Sequence, residues 1–150
     1  NGTALRFFNV YGPRQDPSSP YSGVISIFLR CLVERRSPTM HGDGEQTRDF
    51  TFVEDVAGLC IKASRAAETG GQTFNAGNGG RFSLNRVWQV LNEMEGTNIP
   101  ANYGPPREGD VRDSMACTKL ATAKLGHAPQ FSLEEGLRRT LEWYKSSNHA

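Results

Sequence analysis

Residues 41–56, HGDGEQTRDFTFVEDV, join a glycine-containing loop to a short strand and then to a helix without any linker. Residues 48–53 alternate polar and apolar side chains, which predicts the strand. Glu54 and Asp55 follow at once, and acidic residues favour the first turn of a helix. The apolar spacing predicts that this helix continues to about Ala67. A strand that passes directly into a helix is typical of α/β proteins.

The alternation of strands and helices extends in both directions from this stretch. Toward the N-terminus, apolar patterns predict a strand at 4–11, a helix at 24–36 and a strand at 39–41. Toward the C-terminus, they predict a strand at 72–76, a helix from the N-cap Ser83 to Met94, an extended segment at 99–103, and helices at 118–125 and 133–145. The sequence therefore predicts an α/β fold.

Composition narrows the function classes. The 150 residues carry 17 Lys and Arg against 16 Asp and Glu, a formal charge of +1, which argues against a nucleic-acid-binding surface. Three widely spaced cysteines do not form a disulfide framework. Neither a membrane-spanning apolar run nor a signal segment is present, so we expect a cytoplasmic protein.

The sequence lacks metal-binding motifs and the nucleophile motif of serine hydrolases. The three histidines do not lie near cysteines or carboxylates at metal-ligand spacing, and no G-x-S-x-G occurs. The run Gly42-Asp43-Gly44 starts like a dinucleotide-binding fingerprint, but it lacks the third glycine and leads into a strand instead of a helix. We therefore do not interpret it as a cofactor loop.

Two arginines in loops are candidates for anion binding. Arg48 follows the glycine-containing loop, and Arg107 lies in the segment PREGD at 106–110. A guanidinium donates two parallel hydrogen bonds and stays charged, which suits a diphosphate. On spacing alone, pairing of both arginines with nearby acids is favoured, since surface charge pairs are common. The nearby acids are Asp49, Glu108 and Asp113.

Asn9 and His41 are weaker candidates. Asn9 lies toward the carboxyl end of an apolar strand, where α/β folds bind ligands, but an asparagine before Gly12-Pro13 is equally well explained as a turn residue. His41 offers a flat face that could stack on a base, or it could simply be exposed at a strand end.

Four ordered segments together resemble one family. They are RFFNVYGPR at 6–14, HGDGEQTRDFTFVEDV at 41–56, FNAG at 74–77 followed by Ser83-Leu84, and REGD at 107–110. In this order they resemble the C-terminal half of the extended short-chain dehydrogenases/reductases, the NAD-dependent epimerase/dehydratase family of nucleotide sugars. Within the family, the 4-epimerases of UDP-glucose and UDP-N-acetylglucosamine are the most similar.

The resemblance implies roles for individual residues. It implies that Arg48 and Arg107 bind the diphosphate of a UDP-sugar, and that Asp110 accepts hydrogen bonds from the uridine ribose. It implies that Asn9 contacts the sugar diphosphate and that Phe7 approaches the nicotinamide of NAD. The segments that would enclose the uracil match Gly23, Val24, Thr39 and His41.

The resemblance also implies hydride transfer from the sugar to NAD, rotation of the keto sugar, and return of the hydride to its other face. This chemistry needs a glycine-rich turn after a first strand and a Tyr with a Lys four residues later. Neither motif occurs in the 150 residues. We therefore expect residues 1–13 to be the remaining strand of a Rossmann domain and residues 14–150 to form the substrate-binding lobe, with some segments returning toward the Rossmann core.

Three functions stay open at this point. The first is the UDP-sugar-binding part of an NAD-dependent 4-epimerase, inactive alone, whose parent enzyme is a homodimer. The second is the same part of a nucleotide-sugar 4,6-dehydratase or a UDP-glucuronate decarboxylase, because the residues that select the chemistry lie beside the catalytic Tyr. The third is a non-catalytic binding module.

Overall fold

The computed structural model describes residues 2–15, 23–67 and 69–147, and it confirms the α/β class. The strands are β1 Ala4–Phe7, β2 Asn9–Tyr11, β3 Thr39–His41, β4 Thr47–Arg48, β5 Phe50–Phe52, β6 Thr73–Ala76, β7 Phe82–Ser83 and β8 Asn102–Gly104. The helices are α1 Val24–Val33, α2 Val53–Arg65, α3 Leu84–Glu95, α4 Lys119–Leu125 and α5 Leu133–Ser147. None of the helices in the described ranges is both long enough and apolar enough to cross a bilayer.

The strand predicted at 4–11 is two strands with different partners. β1 pairs in parallel with β6, and β2 pairs in parallel with β5. Between them the amide of Val10 donates to the carbonyl of Phe8 at 2.9 Å, a three-residue turn centred on Asn9. This turn redirects the chain from one partner strand to the other. Asn9 consequently begins β2, whereas the sequence pattern placed it near the end of a longer strand.

The strand predicted at 48–53 is likewise broken, here at Asp49. β4 pairs antiparallel with β7, while β5 pairs with β2. Asp49 lies between β4 and β5 and is fully buried. A buried carboxylate must satisfy its oxygens, and Asp49 does so with backbone amides outside the strand ladder. β3 and β8 form the remaining pair, which is parallel.

Helix α1 ends three residues earlier than the pattern predicts. Arg35 takes a left-handed backbone conformation with φ of 54°, and its amide donates to Leu32. The amide of Arg36 donates to Cys31, which completes the hydrogen-bond pattern of a Schellman motif. The helix therefore stops before Pro38 is reached.

The N-cap predicted at Ser83 is present, and a second serine, Ser132, caps α5. Ser83 accepts a hydrogen bond from the amide of Arg86 at 3.2 Å, and the amide of Glu135 donates to the Ser132 hydroxyl at 3.1 Å. The carboxylate of Glu135 does not return to the cap, as a capping box would require. It accepts hydrogen bonds from Arg138 and Arg139 instead.

The buried apolar side chains form two clusters. The larger cluster joins α1, α3 and α5 to strands β2, β3 and β5, and its largest fully buried members are Phe28, Phe52, Ile25, Leu29 and Met40. The smaller cluster consists of Leu59, Phe74, Ala76, Ala121 and Leu125, with Leu5 of β1 packed against it. The chain crosses between the two clusters at the turn around Asn9.

Candidate functional site

Seven of the eight predicted substrate-binding residues line one cavity of about 260 Å³. These seven are Asn9, Val24, Thr39, His41, Arg48, Arg107 and Asp110. The eighth, Gly23, lies beside Val24 and lines a narrow cleft of about 20 Å³, which Asn9 and Val24 border too. Residues that are far apart in sequence are thus brought to one place by β2, β3, β4, α1 and the loop before residue 110.

The wall of the cavity beside α1 and β3 is largely apolar. Along β3 the side chains alternate, so that Met40 is buried in the core while Thr39 and His41 are exposed and line the cavity. Val24 is half-buried at the first turn of α1, and Phe28 one turn later belongs to the core. A planar heterocycle fits a wall of this composition better than a charged group does.

Charged groups gather at the opposite end of the cavity. The guanidinium of Arg48 donates to the carboxylate of Asp110 and, at 2.7 Å, to the carbonyl of Thr47. Only 15% of the Arg48 side chain is exposed, so the guanidinium is held in one orientation. Two hydrogen bonds use two of its five N–H groups and leave three for a ligand.

Arg48 does pair with an acid, but with none of the three that the spacing in sequence suggested for the two arginines. Its partner is Asp110, whereas Asp49 is buried and Asp113 contacts Arg81 and the Thr47 hydroxyl. Spacing in sequence could not show this pairing, because Arg48 and Asp110 approach each other only through the fold.

Arg107 is exposed and has no ion-pair partner among the residues that the structure describes. Its carbonyl accepts from the amide of Asp110 at 3.1 Å, and Gly109 within this turn has φ of +75°. The turn therefore places the Arg107 side chain and the Asp110 carboxylate on the same cavity. Both residues also border a second, adjoining cavity of about 400 Å³.

Asp49 organises the segments that carry the site, and sequence reasoning missed it. Its carboxylate accepts from the amides of Asn78 (2.7 Å), Gly79 (2.9 Å) and Ala116 (3.0 Å), and from the Thr51 hydroxyl (3.1 Å). Its carbonyl accepts from the amide of Asn9 at 3.1 Å. Asp49 thus connects the start of β2 to the segment that follows Asp110. The signal in the sequence was an aspartate between apolar residues of a predicted strand. A buried acid is unusual unless it has an ion-pair or hydrogen-bond partner.

Gly77 shows how tightly this region is packed. A Cβ at Gly77 would overlap the side chain of Ala116 and approach the Asp49 carboxylate. Only a glycine allows the turn after β6 to bring the amides of residues 78 and 79 against that carboxylate.

The loop before β4 is held by a second pair of charges. Arg112 donates to both oxygens of Asp43, at 2.6 and 3.0 Å, and the amide of Glu45 donates to Asp43 at 2.9 Å. The Arg112 guanidinium and the Glu45 amide lower the pKa of Asp43 from 3.8 to about 2. Gly44 in this loop has φ of +77°, and a Cβ there would overlap the side chain of Asn85. These contacts hold the loop beside the larger cavity, which Asp43 and Arg112 line.

Phe7, which was predicted to approach a nicotinamide, lies outside the cavity. It ends β1, and 54% of its surface is exposed. Pyrophosphate of a dinucleotide is bound where a glycine-rich turn links a parallel strand to a helix N-terminus. Within the described ranges β5 enters α2 directly without a glycine, and the glycine turn after β6 leads into β7. The described residues alone therefore do not fit NAD.

Comparison with known proteins places this architecture in a family. A sequence profile of the NAD dependent epimerase/dehydratase family matches residues 1–77. The chain belongs to this family, and the resemblance inferred from its motifs is confirmed.

Individual members show how close the similarity is. The UDP-glucose 4-epimerase of Mycolicibacterium smegmatis is 38% identical over 93% of this chain. The crystal structure of UDP-glucose 4-epimerase from Thermotoga maritima, with UDP-glucose, superposes on 98% of this chain with a TM-score of 0.92 and 38% identity. A UDP-N-acetyl-alpha-D-glucosaminuronate decarboxylase from Bacillus cytotoxicus is 31% identical over 95% of this chain. The chain spans less than half the length of each, namely 44%, 47% and 46%.

Proposed function

We propose that this chain is the nucleotide-sugar-binding part of an NAD-dependent sugar 4-epimerase that acts on a UDP-sugar. Membership of the epimerase/dehydratase family and similarity to two UDP-glucose 4-epimerases support the proposal. The observation that carries it is that Arg48, Arg107 and Asp110 line the same cavity as a largely apolar wall formed by α1 and β3.

The chemistry of the cavity suits the parts of a UDP-sugar. Arg48 and Arg107 hold the diphosphate, because two guanidinium groups neutralise its charge and donate parallel hydrogen bonds. Asp110 accepts from the ribose with the oxygen that Arg48 leaves free. Asn9, at the turn before β2, donates its carboxamide to the sugar diphosphate.

The apolar end of the cavity receives the uracil in this proposal. Gly23 and Val24 at the start of α1 form one side, and Thr39 and His41 of β3 form the other. The His41 ring stacks on the base, and the missing side chain of Gly23 leaves room at its edge.

Calorimetric titration with UDP tests the site. We expect the 150-residue chain to bind UDP, and Arg48→Ala and Arg107→Ala each to weaken binding about tenfold to a hundredfold, since hydrogen bonds to charged groups contribute about 1.5–3 kcal/mol. Arg81→Ala is the control, because Arg81 is 56% exposed, forms an ion pair with Asp113 and lines neither cavity. Unchanged affinity in the two cavity variants would show that UDP binds elsewhere.

The 150 residues contain neither the glycine-rich turn nor the Tyr-Lys pair of the family, so we propose that they do not catalyse epimerisation alone. In this proposal β1 and β6, with α2 and α4 packed on them, border a Rossmann sheet supplied by the rest of a longer parent enzyme. Turnover of UDP-glucose with added NAD is the test, and measurable UDP-galactose formation by the isolated chain would contradict inactivity.

A decarboxylase is the second candidate, because a UDP-sugar decarboxylase shares 31% identity with the chain. The residues lining the cavity bind the nucleotide in either case, so they do not distinguish the two reactions. Product analysis with the parent enzyme does: a 4-epimer supports the first candidate, and release of carbon dioxide from a UDP-uronic acid supports the second.

A further inference from the structure

The Gln46 side chain is buried yet incompletely hydrogen-bonded. Gln46 is only 6% exposed, and its Nε2 donates to the carbonyl of His41 at 2.6 Å. Its Oε1 is buried without a hydrogen-bond partner among the residues that the structure describes. A buried acceptor without a partner is destabilising, and native proteins leave few of them.

The orientation of the carboxamide is fixed by chemistry. Exchanging the oxygen and the nitrogen would place Oε1 against the carbonyl oxygen of His41, where neither atom can donate. Nε2 must therefore face His41, and Oε1 must face the other way. Oε1 lies 4.0 Å from the position of a Cβ on Gly42, a residue that lines the larger of the two cavities.

Gln46 occupies the junction of the two adjoining cavities. Four residues line both of them, namely His41, Gln46, Arg107 and Asp110. Val24 and Thr39, the apolar-end residues, line only the smaller one. Gln46 therefore lies between His41, which is proposed to stack on the base, and Arg107 and Asp110, which are proposed to bind the diphosphate and the ribose. The ribose links the base to the diphosphate, so it is the part of the ligand expected at this junction.

We infer that Oε1 of Gln46 accepts a hydrogen bond from a ribose hydroxyl of the bound nucleotide, and that Gln46 thereby selects ligands with an intact ribose. This inference rests on the proposed function. A diphosphate offers no donor at neutral pH, whereas a hydroxyl can donate to Gln46 and accept from a neighbouring group. The bond from Nε2 to His41 holds the acceptor in place before the ligand arrives, so that little side-chain entropy is lost on binding.

The test compares UDP with 2′,3′-dideoxy-UDP and with N3-methyl-UDP, using the 150-residue chain and its Gln46→Met variant. Methionine is similar in size and has no strong acceptor. We expect Gln46→Met to weaken the binding of UDP and of N3-methyl-UDP about tenfold, as for one lost hydrogen bond. The affinity for dideoxy-UDP should stay unchanged. Gln130→Met is the control, because Gln130 also donates to a backbone carbonyl, at 2.8 Å, but is exposed and lines neither cavity.

The other outcomes overturn the inference in distinguishable ways. If the variant binds all three ligands equally more weakly, Gln46 acts only by holding His41. If only the binding of UDP and dideoxy-UDP is weakened, the donor to Gln46 is the base N–H. Absence of UDP binding by the unmodified chain would remove the proposed function as well. If Gln46→Met does not fold, NMR of the unmodified chain decides: the Gln46 side-chain amide signals must shift with UDP and stay unchanged with dideoxy-UDP.

Discussion

The carboxylate of Asp49 accepts a hydrogen bond from the backbone amide of Ala116 at 3.0 Å. The two residues are 67 positions apart in sequence, and both are buried. Through this contact the segment that begins at Asp110 is fastened to the strand that begins after Arg48. The ion pair between Arg48 and Asp110 therefore depends on a buried carboxylate that is not itself in the cavity.

Replacing Asp49 with asparagine is expected to destabilise the protein by about 2–4 kcal/mol. The new amide nitrogen would face backbone amides that can only donate, and at least one buried donor would lose its acceptor. The free energy of unfolding in urea measures the effect. Asp113→Asn is the matched control in the same segment, because Asp113 is 54% exposed, and a loss of at most about 1 kcal/mol is expected there.

Arg48→Lys is expected to weaken UDP binding about tenfold, nearly as much as Arg48→Ala. The guanidinium reaches Thr47 and Asp110 with separate nitrogens and still has donors for a phosphate, whereas an ammonium is a single point of charge. Calorimetry with both variants measures the difference. Arg81→Lys should bind UDP like the unmodified chain, and full binding by Arg48→Lys would mean that only the charge matters.

The pKa of Asp43 provides a pH-dependent test of the loop. Because Arg112 and the Glu45 amide lower this pKa from 3.8 to about 2, the stabilisation is present above pH 3.8 and is lost as the pH falls toward 2. An NMR titration of the Asp43 carboxyl carbon should have its midpoint near 2. In Arg112→Gln the midpoint should rise toward 3.8, while Arg30→Gln, in α1, should leave it unchanged. A midpoint near 3.8 in the unmodified chain would show that the Arg112 contact does not persist in solution.

Two helical glycines should respond to alanine in opposite directions. A Cβ on Gly58 in α2 meets nothing within 4 Å, so Gly58→Ala should stabilise the protein by about 0.5–1 kcal/mol. A Cβ on Gly136 in α5 would overlap the hydroxyl of Tyr11, so Gly136→Ala should cost about 1–3 kcal/mol. Urea unfolding measures both. In a Tyr11→Phe background the cost at Gly136 should shrink, and an unchanged cost would point to the ring carbons of Tyr11 and Phe52, at 2.9 and 3.0 Å from the added Cβ, as the main obstruction.

Local patterns predicted most helices and strands because their causes are local. Ser83 and Gly96 begin and end α3 as their side-chain and backbone properties require, and the apolar spacing of α5 matches its buried face. The breaks at Asn9 and Asp49 were not predictable in this way. Each break reflects a change of partner strand, and partners lie outside any local window.

For the candidate site too, the individual residues could be predicted, but the contacts between distant segments could not. Seven of its residues were selected by their resemblance to family motifs, and the fold brings them to one cavity. The ion pair of Arg48 with Asp110 and the unpaired oxygen of Gln46 could not be inferred, because both arise where loops meet. Their assignment to parts of a UDP-sugar stays a prediction.

The pairing of the strands also has a consequence for how the protein folds. In the described part of the chain no two consecutive strands pair with each other, and even the partners nearest in sequence, β4 and β7, are separated by a complete helix and two other strands. Chains dominated by such distant contacts close long loops before any strand pair forms, and they fold slowly. We therefore expect Arg48 and Asp110, which are 62 residues apart in sequence, to meet late in folding. Recovery of UDP binding during refolding should follow the slowest phase of core formation, and the nucleotide should stabilise the folded state without accelerating the earlier phases.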